Sequence, residues 1–129
     1  MRILLDTCTF LWLVEGDPNL SATAREAIVD PENEVLLSPA SAWEITIKHG
    51  LGRLSLGDSP DIYVPRQRSV HRIDTLPIDE ACVLHIGKLP ARHRDPFDRL
   101  LVAQAIVHGC ALATPDPLIR QYPVRVLWE

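Results

Sequence analysis

No stretch of this 129-residue chain approaches the roughly 18 to 20 consecutive apolar residues of a membrane helix, although 47% of its residues are hydrophobic. A helical membrane span is excluded, and a soluble protein without a membrane partner is predicted. Cysteine is sparse: Cys8, Cys82 and Cys110 form neither a paired framework nor a C-x-x-C motif, which predicts free thiols in a reducing compartment. The N-terminus reaches Asp6 too soon for a secretory signal, so the expected location is the cytoplasm. Basic charge is not in excess either, since the net charge is −4, which argues against coating nucleic acid by charge alone. Lysine is nearly missing, with eleven Arg against two Lys, and arginine's planar fork is the better bidentate phosphate ligand. Also lacking are a Gly-x-Ser-x-Gly elbow, a His-x-x-x-His zinc pattern, internal repeats and low-complexity tracts. Serine-nucleophile and zinc chemistry lose their usual support.

What is present is a regular alternation of short apolar runs and helix signals over one domain, residues 1–129. A strand at 2–5 leads into the apolar segment 10–14, which Gly16-Asp17-Pro18 breaks. Ser21 caps a helix over 21–29, a strand at 35–37 feeds Ser38-Pro39, and a helix continues to about residue 50. The spacing predicts a helix over 58–70 kinked at Pro65, a strand over 71–76 and a helix over 78–89. After the basic loop Arg92-His93-Arg94 comes the strongest helix, 97–108, closed by Gly109. Strands at 110–113 and 124–128 flank a short helix at 117–121. About five short strands alternating with helices predict an α/β fold, a parallel sheet with helices on both faces.

Four acids stand at informative places in that pattern. Asp6 and Asp116 fall just beyond two buried strands, where ligands gather in open α/β sheets. Glu44 sits midway along a helix and Asp98 in the first turn of another. Each has a plain alternative: Asp6 as a helix cap, Glu44 as the partner of Lys48, Asp98 as complement to a helix dipole, Asp116 as a turn residue. Asp95, in Asp-Pro, reads first as a helix start that also suits a metal's outer shell. Two carboxylates about 4 Å apart repel by roughly 4 kcal/mol at an effective dielectric near 20, a conflict that a divalent cation removes. Oxygen-only donors favour Mg²⁺ or Mn²⁺, and such a site suits phosphodiester hydrolysis.

The segments Leu4-Leu5-Asp6-Thr7, Ser41-Ala42-Trp43-Glu44-Ile45, His93-Arg94-Asp95-Pro96-Phe97-Asp98-Arg99 and Ala113-Thr114-Pro115-Asp116 carry a family resemblance. Together they make the chain resemble the PIN-domain ribonucleases, and within them the VapC toxins of type II toxin–antitoxin modules. The resemblance implies a PIN-like fold and Mg²⁺- or Mn²⁺-dependent endonucleolytic cleavage of RNA. It also implies inhibition by a small VapB-type antitoxin from the neighbouring gene, and a homodimer. It assigns metal binding and catalysis to Asp6, Glu44, Asp98 and Asp116, with Thr7 and Thr114 as supporting hydroxyls. Many relatives with this opening have histidine where Cys8 stands. Expected RNA contacts are Arg92, Arg94, Arg99 and Lys48, and expected antitoxin contacts are Phe10, Trp12, Trp43 and Leu51. Rival expectations are a PIN-like module that binds RNA or protein without cutting, and a phosphoacceptor domain using Asp6.

Overall fold

The short β-branched and leucine-rich runs become strands because each can bury both faces at once, which is the condition for a parallel sheet. In the computed structural model, which describes residues 1–91 and 95–129, these strands are β1 (Arg2–Leu5), β2 (Glu34–Leu37), β3 (Asp74–Thr75), β4 (Ala111–Ala113) and β5 (Val126–Leu127). The sheet order is β3-β2-β1-β4-β5 and every neighbouring pair is parallel. Chain direction therefore fans outward from β1 on one side, then returns to start again at β4 on the other. That reversal opens a crevice beyond the C-terminal ends of β1 and β4.

Alternation along β1 sorts its side chains into two cores. Ile3 and Leu5, with Val35, Leu37 and Ala113, pack under α1 (Thr7–Glu15), α2 (Ala22–Val29) and α4 (Pro60–Val70), together with Ile45 of α3 (Pro39–Gly50). Leu4, Leu36 and Leu112 point the other way, toward Leu101, Val102, Ala103 and Ala105 of α6 (Pro96–His108). Helices thus cover both faces, as expected. Among the described residues no helix is long and apolar enough to cross a membrane.

Local chemistry sets the helix ends. Asp6, Ser21, Ser38 and Asp95 each accept a backbone hydrogen bond as N-caps, and Pro39 and Pro96 start their helices where a missing N–H costs nothing. Gly16 and Gly109 close α1 and α6 in the left-handed conformation, both at φ 66°, which side chains rarely tolerate. The edge strands and the 78–89 helix differ from the sequence reading. The edge strands shrink to two residues each, because an edge has a partner on one side only. The 78–89 helix divides into α5 (Glu80–His85) and a 3-10 turn, Ile86–Lys88. The helix expected over 58–70 is present as α4, with Pro65 inside it forfeiting one backbone hydrogen bond.

Candidate active site

Both strand-end acids follow from β1 and β4 ending side by side. The Asp6 amide donates to the Ala113 carbonyl at 3.1 Å, so the loops after the two strands leave the sheet together. Asp6 is 8% exposed and caps α1, accepting from the Thr9 amide at 2.7 Å. The Thr114 hydroxyl also bonds Asp6, and it accepts the Asp116 amide at 3.2 Å. Thr114 therefore ties the two loops at one point. Burial holds the Asp6 carboxyl above the ordinary aspartate range; the Thr114 and Thr9 hydrogen bonds oppose that shift and the nearby Glu44 charge adds to it.

The other two acids arrive on helices. Trp43 of α3 meets Phe97 of α6 edge-to-face, with ring centroids 5.1 Å apart, and that contact brings Glu44 and Asp98 to a common cleft. Asp6, Glu44, Asp98 and Asp116 all line it, along with Thr7, Cys8, Trp12, Lys48, Arg53 and Asp95. The Thr7 hydroxyl donates to Glu44 Oε1 at 2.6 Å, while Lys48 Nζ lies 2.8 Å from Glu44 Oε2. The hydrogen bond to Glu44 is the main reason the Lys48 ammonium sits above the usual lysine range, and the charges of Asp95 and Asp98 add to it.

The donors are carboxylates and hydroxyls, the set a hard divalent cation prefers. Among the described residues, no three His, Cys, Asp or Glu side chains stand poised to hold such an ion as they are placed. The cleft gathers the acids, and side-chain rotation is needed to close them on one centre. Glu44 shows why: both of its oxygens are engaged, one by a hydroxyl and one by an ammonium.

The profile of the PIN domain matches residues 3–124, nearly the whole chain. The chain belongs to the PIN-domain family. Over 72 residues this PIN domain is 38% identical to ribonuclease VapC16 of Mycobacterium tuberculosis, a match covering 53% of this chain. It spans about half the length of that curated relative, 51%. Among solved structures, VapBC2 from Rickettsia felis bound to a promoter DNA fragment superposes with a TM-score of 0.74 at 17% identity, covering all of both chains. DNA-bound VapBC from Salmonella typhimurium gives 0.71 at 19% identity, covering 98% and 96%. A toxin–antitoxin complex from Klebsiella pneumoniae gives 0.56 at 16% identity, covering 88% and 86%. At these identities the structures show a shared PIN fold.

The expected RNA and antitoxin contacts fall in different surroundings. Arg99 is partly buried: its guanidinium donates to the Pro90 and Ile86 carbonyls at 2.9 and 3.1 Å and to the Tyr122 hydroxyl at 3.1 Å. It ties α6 to the preceding segment. Phe10 is fully buried in the first core, so it does not reach an antitoxin. Trp12 is half-buried against Trp128, with centroids 6.0 Å apart, at the cleft wall. Trp43 and Leu51 are both exposed, 61% each. Arg92 and Arg94 lie outside the described residues. Arg53 was not anticipated; its amide bonds the Lys48 carbonyl at 2.9 Å, which sets it just past α3 at the cleft rim. A cation one turn beyond the helix that carries Glu44 was the available signal.

The surroundings of Cys8 disfavour its thiolate. Burial, then the charges of Asp6 and Asp17, push its thiol up to about 12. In EDTA-treated protein at pH 8, Cys8 is expected to react with a disulfide reagent roughly a hundredfold more slowly than an ordinary thiol, because so little thiolate exists. Rapid labelling of Cys8, located by peptide mapping, would show that the pocket is more open or more positive than described.

Proposed function

We propose that this PIN domain is a divalent-metal-dependent endoribonuclease, the toxin of a VapBC-type pair. The observation that carries the reading is the convergence of Asp6, Glu44, Asp98 and Asp116 on one cleft at the sheet's reversal point. Those four acids would hold Mg²⁺ or Mn²⁺, which when bound supplies a Lewis acid for a phosphoryl oxygen and an activated water. The chain's own hydroxyls do the positioning. Thr114 orients Asp6, and Thr7 fixes the rotamer of Glu44. Arg53 at the rim is set to contact the RNA backbone, with Asp95 capping the helix that presents Asp98.

A VapB-type partner is supported by the neighbours in complexes and by an apolar stripe on α3. Trp43, Ile47 and Leu51 recur every four residues and are exposed, the pattern a partner helix or groove would cover. A homodimer would bury further exposed residues, Val83 and Leu84 of α5 and Val107 of α6. A cytoplasmic location suits the three free cysteines.

One observation favours a second reading, a module that binds RNA without cutting: Lys48 already neutralises Glu44. Incubating single-stranded RNA with the protein, with and without Mg²⁺ or Mn²⁺, separates the two. Cleavage that appears only with metal and disappears in EDTA is the expected result. The Arg53→Ala variant should bind RNA more weakly and with a salt slope lower by about one. Metal-independent binding with intact RNA would establish the module instead.

A further inference from the structure

Both carboxylate oxygens of Glu44 are held by side chains of the protein. Thr7 holds Oε1 at 2.6 Å, and Lys48 holds Oε2 at 2.8 Å from the next turn of α3. The Glu44 side chain is 12% exposed and that of Lys48 is 51% exposed, so the carboxylate is anchored while the ammonium has room to leave. Lys48 is not confined to this pair. It lines the acid cleft, lines the adjoining hollow with Asp95, Pro96 and Phe97, and feels the charges of Asp95 and Asp98 as well as Glu44. The Lys48 ammonium thus faces three carboxylates gathered from two helices.

We propose that Lys48 is a built-in counterion that occupies the acidic cleft in the metal-free protein and competes with the divalent ion for Glu44. The physical reason is like-charge repulsion. Asp6 is buried beside Glu44 and none of the described ion pairs joins it to a cation, so the two carboxylates repel one another when no metal is bound. Lys48 relieves part of that repulsion and keeps the empty cleft folded. Filling the cleft with a metal requires Lys48 to release Oε2, while Thr7 keeps the carboxylate in place. The free energy of breaking the Lys48–Glu44 pair is thereby subtracted from metal affinity, and by linkage metal binding loosens Lys48. The inference rests on the metal-dependent reading above.

The test compares Lys48→Met with Lys88→Met, which removes the same charge from a segment outside the cleft. Metal-stripped proteins are titrated with Mn²⁺ by calorimetry, and melting is recorded with and without Mn²⁺. In Lys48→Met, Mn²⁺ should bind roughly three- to five-fold more tightly, the range expected for an exposed pair. Its metal-free form should melt lower than wild type, and the Mn²⁺-induced rise in melting temperature should be larger. Lys88→Met should match wild type in all three. If wild type binds Mn²⁺ and Lys48→Met binds it equally or more weakly, the counterion inference is overturned and the metal site stands. Equal tightening in Lys88→Met would reduce the effect to net charge and overturn it too. If wild type binds no Mn²⁺ at all, the inference falls together with the metal-dependent reading.

Discussion

Asp6→Asn is expected to remove metal-dependent RNA cleavage, a loss on the order of a thousandfold, while making the metal-free protein more stable. The two effects have one origin. A carboxylate 8% exposed beside Glu44 serves a cation well and an empty cleft badly. Asparagine keeps the cap that Asp6 provides to the Thr9 amide, since Asn and Asp are equivalent N-caps, and removes only the charge. The sign of the pH dependence follows. Burial raises the folded-state pKa of Asp6 above its unfolded value, so its protonated form favours folding in acid. That contribution is lost as pH rises from about 4 through the raised folded value. Wild type should therefore lose stability relative to Asp6→Asn across that window. At pH 7 the variant should melt higher, by about 3 to 6 °C for each kcal/mol relieved in a domain of this size. Saturating Mn²⁺ should reverse the order by stabilising wild type alone. A variant that melts lower than wild type in EDTA would mean that the hydrogen bonds from Thr9 and Thr114 to the ionised form outweigh burial.

The features legible in the sequence were those that depend on neighbours along the chain. Ser21, Ser38-Pro39, Asp95-Pro96 and Gly109 mark helix ends through bonds made within a few residues, and the structure keeps each of them. The parallel sheet was legible for the same reason, since uninterrupted apolar runs of strand length need cover on both faces. Side-chain direction was less accessible. In Phe10-Leu11-Trp12-Leu13-Val14 every position is apolar, so periodicity cannot tell which residue points inward. The hydrogen bonds of Arg99 were hidden for a different reason. Its partners Ile86, Pro90 and Tyr122 lie between 9 and 23 residues away, so no local pattern announces them. The Lys48–Glu44 pair was readable as a helical i, i+4 couple; that it stands in the cleft, with Asp95 and Asp98 facing the same ammonium, was not.

Phe10 and Trp43 divide the expected antitoxin contacts into a part that folds the protein and a part that can meet a partner. Phe10→Ala empties a site that is 0% exposed, between β1 and the helices that cover it. Buried Phe→Ala changes cost about 3 to 5 kcal/mol, against a total stability of about 5 to 15 kcal/mol for a domain. The variant should show a much lower urea midpoint or fail to fold, and any loss of partner binding would follow from that. Trp43 is 61% exposed and gains mainly its edge contact with Phe97, so Trp43→Ala should cost no more than about 1 kcal/mol. Its effect belongs at the surface. Exposed tryptophans that anchor an interface contribute 2 kcal/mol or more, so affinity for the proposed VapB-type partner should drop at least about thirtyfold. The pair of measurements is a urea titration and a calorimetric binding curve on each variant. A Trp43→Ala protein that unfolds as readily as Phe10→Ala would make the α3 stripe part of the core. One that stays folded and binds the partner at full strength would move the interface to another face.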